Sequence, residues 1–304
     1  MNHRSFAHQT AFRAACFSFG LFLFAGGCGA DTTSPLPEDD GMNDLPIDTG
    51  GVHLALPHDP ADPDAAPFGT YVYEPAGLDQ SPVPYPLLVF LHGAGERGDS
   101  AADSTVLDLV LRNGPPLLIE RGTWQPPHPM IVVSPQCHSG WWNPDDVRSL
   151  LVWIDRQYPV DRAHIYLTGL SMGGYGTWAY LGRFGSAAGD SLALAAAAPI
   201  CGAGNPGQAT AVAQTPVWAF HGTADATVAP SGSVEMVTAV GAMGPAVPPR
   251  LTLYDGVGHN SWERTYDGTG VGQGLATYAP ATDVDPWLLR YQPDLYTWFF
   301  SHRR

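Results

Sequence analysis

The stretch His164-Ile165-Tyr166-Leu167-Thr168-Gly169-Leu170-Ser171-Met172-Gly173-Gly174 decides how this chain is read. An apolar run ends in Gly-x-Ser-x-Gly, and residues 172–184 then follow with helical character. A strand that turns sharply into a helix around such a serine is a nucleophile elbow. The turn is strained, and glycines beside the serine let strand, helix and neighbouring backbone come close without a clash. Ser171 is thereby lifted above the sheet edge with its hydroxyl exposed. The five-residue pattern alone is weak in a chain with 35 glycines; the strand–turn–helix context carries the weight.

Outward from this stretch, apolar runs alternate with helical patterns. Runs at 86–91, 130–133, 164–168, 192–198, 217–220 and 251–254 read as strands covered on both faces. Two shorter strands are expected at Val52–Leu56 and Gly69–Tyr73. Helical spacing appears at 107–111, 145–157, 172–184, 231–240 and 293–302. In the second of these, Val147, Leu150, Leu151 and Ile154 share one face, and Asp145 and Asp146 suit the start. The alternation predicts an α/β fold: a doubly wound, mostly parallel sheet with helices on both faces. The Gly-, Thr- and Ala-rich stretch 267–282 reads as a long loop.

The chain has 304 residues and a formal charge of 14 − 29 = −15. An acidic surface of this kind argues against nucleic acid as partner, because phosphate binding needs clustered Lys and Arg. Residues 1–28 read as a targeting segment: Arg4 and Arg13, then the apolar run 17–24, too short to span a bilayer. Ala25-Gly26-Gly27-Cys28 resembles a lipobox, with Cys28 as the lipidated N-terminus; an ordinary signal peptide with an incidental cysteine is the alternative. Either way the protein is expected to be exported, touching a membrane only through that anchor. Residues 29–50 read as a flexible acidic tether, and 51–304 as the catalytic domain. The mature domain keeps Cys137 and Cys201. In an oxidising compartment they are expected to pair, with two buried thiols as the other reading.

A serine hydroxyl needs a base to take its proton. His259, directly after the strand 251–254, is the preferred one, because loops at the carboxyl ends of strands gather functional groups in such sheets. His92 and His221 each precede glycine at a strand end, where packing is the expected role. Asp225, just past the strand 217–220, is the preferred carboxylate for the imidazole; Asp255 is the rival. The order Ser171, Asp225, His259 fits an elbow of this kind. The developing oxyanion needs two backbone donors. Met172 supplies one; Ala94, with Gly93 and Gly95 as alternatives, supplies the other. Glu96 and Arg97 either contact substrate or form an ion pair that holds the loop. Trp141, Trp142 and Trp262 flank these motifs and are candidate walls for substrate, or ordinary packing.

Together, LLVFLHGAGERGD (87–99), LRNGPPLLI (111–119), SPQC (134–137) with WW (141–142), TGLSMGGYGTW (168–178), APICG (198–202), FHGTADATV (220–228) and GHNSWERTY (258–266) resemble a known group. They are similar to the bacterial carboxylesterase/phospholipase-type α/β-hydrolases, relatives of dienelactone hydrolase and of prolyl oligopeptidase catalytic domains. The resemblance covers roughly Gly69 to His302. It implies Ser171, Asp225 and His259 as the triad, Ala94 and Met172 as oxyanion donors, and an α/β-hydrolase fold. It leaves the substrate open, because an extra segment at 267–290 departs from the group and is a candidate cover for the pocket. The expectation is a serine esterase working through an acyl-enzyme on a small-molecule or polymeric ester, with no metal or organic cofactor. A serine peptidase is the alternative, and a non-catalytic surface-binding lipoprotein a third reading.

Overall fold

The computed structural model describes residues 42, 45, 47–138, 140–186, 189–276 and 294–304. Within them the apolar runs become strands: β1 (Val52–Leu56), β2 (Gly69–Glu74), β3 (Tyr85–Leu91), β4 (Ile131–Gln136), β5 (Val160–Leu170), β6 (Ala196–Ile200), β7 (Trp218–Gly222), β8 (Arg250–Tyr254) and β9 (Gly274–Ala276). They form one sheet in the order β1-β2-β4-β3-β5-β6-β7-β8-β9. Neighbours from β4 across to β8 run parallel, whereas β1, β2 and β9 join antiparallel. The chain moves outward from β3 to β4, crosses back to β5, and then proceeds the other way. The reversal lies between β3 and β5, and such a switch point opens a crevice at the carboxyl ends of the strands.

Central strands are buried along their whole length. Every residue of β3, β4, β6 and β7 is buried, as expected of strands covered on both faces. The helices are α1 (Gly114–Glu120), α2 (Pro144–Gln157), α3 (Met172–Phe184), α4 (Ala209–Val212), α5 (Ser231–Ala242), α6 (Trp262–Tyr266) and α7 (Leu295–Phe300). In α2, Asn143 accepts a hydrogen bond from Asp145 N–H, Pro144 opens the first turn, and Val147, Leu150, Leu151 and Ile154 are buried; cap and apolar face agree. In α7, Asp294 caps Tyr296 and Thr297 N–H at 2.9 and 3.0 Å. Phe299 of α7 stacks on Tyr166 of β5 at 4.9 Å, and Trp298 meets Trp218 of β7 edge to face at 5.4 Å.

Several boundaries differ from the sequence expectation. The run 107–111 is a 3-10 stretch, Ser104–Arg112, with Asp103 capping Thr105 N–H. The expected strand 192–198 is displaced to Ala196–Ile200, because pairing with Tyr166–Leu170 sets its ends rather than apolarity. Three residues within the expected loop form β9 against β8. Asp48, assigned to the tether, is bonded into the domain: it accepts from the Tyr73 hydroxyl at 2.7 Å and from Ala76 N–H at 3.1 Å. The targeting segment with Cys28, most of the tether and residues 277–290 of the candidate cover lie outside the described residues. Among the described residues no helix is long and apolar enough to cross a membrane.

Trp298 is 1% exposed and fills the space between α7 and β7. Trp298→Ala should lower unfolding stability by about 3–5 kcal/mol, the range for a deleted core aromatic. Urea unfolding followed by circular dichroism measures it, and a loss under about 1 kcal/mol would show that α7 is dispensable.

Candidate active site

The turn after β5 has the expected strain. Ser171 sits at φ 52, ψ −115, a region that non-glycine residues seldom enter. It is held there by tight packing beneath it. A methyl on Gly173 would fall 1.9 Å from the Leu91 carbonyl oxygen, and one on Gly169 2.5 Å from that of Gly173. The end of β3, the end of β5 and the first turn of α3 therefore touch backbone to backbone. Ser171 N–H donates to Ile200 O at 2.9 Å, which ties the turn to β6.

His259 arrives from the far side. The loop after β8 folds across the end of β7, where Gly222 makes room: a methyl there would meet Val257 O at 2.2 Å and Gly258 O at 2.4 Å. Ala224 N–H donates to Val257 O at 2.9 Å and fastens the two loops together. The His259 ring then spans two partners. Its Nε2 lies 2.9 Å from Ser171 Oγ and its Nδ1 2.7 Å from Asp225 Oδ2. Asp225 is buried, and its Oδ1 accepts from Thr227 N–H at 2.8 Å and Val228 N–H at 2.9 Å. Burial pushes this carboxyl up, but the bonds from His259 and from those two amides outweigh burial and hold it below its ordinary value. A second imidazole, His221 Nε2, lies 3.2 Å from the same Oδ2 and 2.9 Å from Val228 O. Burial lowers the His221 pKa, against the pull of Val228 O and Asp225. The rival Asp255 is exposed and accepts from Thr223 Oγ1 at 3.3 Å.

Comparison with known proteins sets this geometry in context. No protein-family model and no curated protein matches the chain. Among solved structures, a thermostable esterase superposes with a TM-score of 0.51 at 25% identity, over 86% of this chain and 64% of that one. A mutant of the feruloyl esterase module from Clostridium thermocellum, solved with sinapinate, gives 0.51 at 17% identity, over 77% of this chain and 90% of that one. The sheet order, the elbow after β5 and these superpositions agree.

The chain has the α/β-hydrolase fold.

In this hydrolase fold the loop after β3 carries the region expected to supply the second oxyanion donor. A methyl on Gly93 would lie 3.6 Å from Ser171 Cβ, so the loop borders Ser171. Ala94 opens the short 3-10 turn Ala94–Glu96, and Met172 is the first residue of α3, where backbone N–H groups have no intrahelical acceptor. His92 holds the base of the loop. Its Nδ1 donates to Gly93 O at 2.6 Å, while its Nε2 accepts from Cys137 N–H at 2.9 Å.

Three sequence expectations need correction. Trp142 is not an open wall: it is 5% exposed, donates from Nε1 to His92 O at 3.0 Å, and packs against Gly176. Trp141, by contrast, is 65% exposed and meets Tyr175 edge to face at 5.5 Å. Glu96 and Arg97 form no ion pair: Glu96 is buried and bonded by Asn113, while Arg97 reaches Ala94 O and Gly140 O, both at 3.1 Å. Cys137 and Cys201 are not joined. They follow β4 and β6, with β3 and β5 between; three strand spacings are about 14 Å, beyond the reach of a disulfide. Cys201 instead lies under the elbow, 3.3 Å from Ser171 N, and burial pushes its thiol up to about 12. Trp262 lies against His259, edge to face at 5.4 Å. Asn113 and His221 had no assigned role at the site. Asn113 was legible only as a helix-capping residue before Gly-Pro-Pro, and His221 only as a strand-end histidine.

A cavity of about 820 Å³ lies elsewhere, lined by His53, Tyr73, Trp124 and His128 among others.

His92 has a measurable signature. Burial lowers its pKa from 6.5 to about 4. The unfolded chain binds a proton on this ring as pH falls below 6.5, while the folded ring refuses it until about pH 4. Its contribution is therefore full above pH 6.5 and declines between 6.5 and 4, by up to about 3 kcal/mol. Urea titrations of wild type and His92→Gln across that window should show a steeper acid loss for wild type; parallel curves would sink the assignment.

Proposed function

We propose that this chain is a serine esterase. The observation that carries the reading is the hydrogen-bonded series Ser171 Oγ, His259, Asp225, at 2.9 and 2.7 Å, on a strained elbow at the sheet's switch point. His259 Nε2 takes the hydroxyl proton as Ser171 Oγ attacks the ester carbonyl. Asp225 accepts from Nδ1–H, which fixes the tautomer and stabilises the imidazolium that forms. The carbonyl oxygen, now negative, receives the N–H groups of Met172 and Ala94. The tetrahedral intermediate collapses, the alcohol leaves with the proton from His259, and an acyl-enzyme remains on Ser171. Water, deprotonated by the same imidazole, then releases the acid and restores the serine.

The exposed Trp141, resting on Tyr175 beside the elbow helix, suits a flat acyl or sugar-linked group. The feruloyl esterase module that shares the fold makes hydroxycinnamoyl esters natural probes, alongside acetyl and polyester substrates. The first 28 residues, with the lipobox-like Ala25–Cys28, support export and anchoring by a lipid at Cys28, with the acidic residues 29–50 as spacer.

Two measurements test the reading. Short acyl p-nitrophenyl esters should be hydrolysed, and Ser171→Ala should reduce kcat/KM by at least about 10³-fold with the fold intact. Turnover of a peptide panel with no ester activity would instead favour a serine peptidase. An organophosphate should label Ser171 and no other serine. Trp141→Ala should raise KM for aryl or polymeric esters about three- to tenfold, the worth of one aromatic contact, while leaving acetyl esters unchanged. Equal effects on both classes would remove Trp141 from the substrate surface.

A further inference from the structure

Asn113 stands at the N-cap of α1 yet its side chain makes no capping hydrogen bond. Asparagine at that position ordinarily contributes about 1 kcal/mol by capping. Here both ends of the amide are used elsewhere. Oδ1 accepts from Trp262 Nε1–H at 2.9 Å, and Nδ2 donates to Glu96 Oε1. The orientation is forced by chemistry, because an indole N–H can only donate and so requires the carbonyl end. The amine end must then face the carboxyl.

The two partners belong to different loops, one bordering Ser171 and the other carrying His259. Glu96 closes the 3-10 turn that begins at Ala94, and its Oε2 would lie 3.1 Å from a methyl on Gly93. Trp262 starts α6 and meets the His259 ring at 5.4 Å. Glu96 is 6% exposed, and Asn113 is the side chain that hydrogen-bonds its carboxyl, beside the backbone amides of Gly93 and Glu96.

We propose that Asn113 is a positioning residue that couples the oxyanion loop to the loop of the catalytic base through the two ends of its amide. The inference rests on the esterase reading above. The coupling sets the distance between the Ala94 amide and the His259 imidazole, and hence how well both meet one carbonyl as it becomes tetrahedral. Displacement of either group by about 1 Å can cost about 100-fold in turnover. Asn113 touches no reacting atom. Burial raises the Glu96 pKa, against the pull of Asn113, nearby backbone amides and Arg112, so this carboxyl is sensitive to what faces it.

Kinetics on purified full-length protein tests the proposal. Asn113→Leu should lower kcat about 10- to 100-fold with KM within about twofold, because ground-state binding is untouched. A trifluoromethyl ketone, which adds the Ser171 hydroxyl across its carbonyl to give a hemiketal, should bind more weakly by the same factor. Trp262→Phe keeps the ring and removes the N–H; it should lose part of that kcat, and the double variant should be no worse than Asn113→Leu alone. Should Asn113→Leu fail to fold, Trp262→Phe carries the test through the same kcat and hemiketal readouts. Asn113→Asp gives an independent readout. The new carboxylate would face Glu96 Oε1, with His92 Nδ1 3.9 Å from Glu96 Oε2 and Arg112 nearby. Two facing carboxyls must share a proton, which raises one pKa. Turnover should therefore fall as pH rises through that pKa, a limb absent from wild type. Unchanged kcat, loss confined to KM, additive losses in the double variant, or no new pH limb would overturn the proposal. Ser171→Ala separates the two claims: if it abolishes turnover while Asn113→Leu does not, only the coupling falls, and if it remains active the esterase reading falls.

Discussion

The structure depends on one close approach: the first turn of α3 against the end of β3, backbone on backbone, with Gly173 over the Leu91 carbonyl. No side chain fits between them. The contact forces Ser171 into positive φ and puts its hydroxyl above the sheet edge, where the loop after β3 already ends. The energetic cost of that backbone conformation is about 1–3 kcal/mol. It is offset by surroundings that admit no other path, including the Ser171 N–H bond to Ile200 O.

The polar groups around this contact are arranged so that each has one available role. His92 is wholly buried and neutral, donating on one side and accepting on the other. Trp142 closes the same loop from below through its indole N–H. Asp225 keeps its charge because three hydrogen bonds reach it in the interior. These groups act as scaffolding that fixes where the Ser171 hydroxyl and the His259 ring sit.

Much of this was legible in the linear chain wherever the decisive physics is local. The elbow announces itself by glycines around a serine between an apolar run and a helix. Helix α2 announces itself by Asn143, Pro144 and four apolar residues at helical spacing. Asp225 and His259 could be picked because each lies just past a strand. The failures came from information carried by strand order. Cys137 and Cys201 look like partners when only compartment is considered, yet β3 and β5 lie between them. Trp141 and Trp142 are adjacent in sequence and opposite in environment, one open and one buried, because the turn into α2 sends their side chains different ways. Glu96 and Arg97 likewise separate, one buried and one exposed, at the end of the 3-10 turn Ala94–Glu96.

What the sequence by itself determined is therefore the set of parts: an α/β chain, a strained serine turn, a base and a carboxylate in the right order. Short-range sterics and apolar periodicity specify these without reference to the rest of the molecule. Only the tertiary structure decided the spacings that make a site of them. His259 follows β8 and Ser171 follows β5, about 14 Å apart at the sheet spacing, and they meet because the histidine loop folds across Gly222. The bonds of Asn113 to Glu96 and Trp262 are of the same kind, joining groups 17 and 149 residues away in the chain. Such contacts depend on which strands are neighbours, and strand order is a property of the packed core rather than of any single segment.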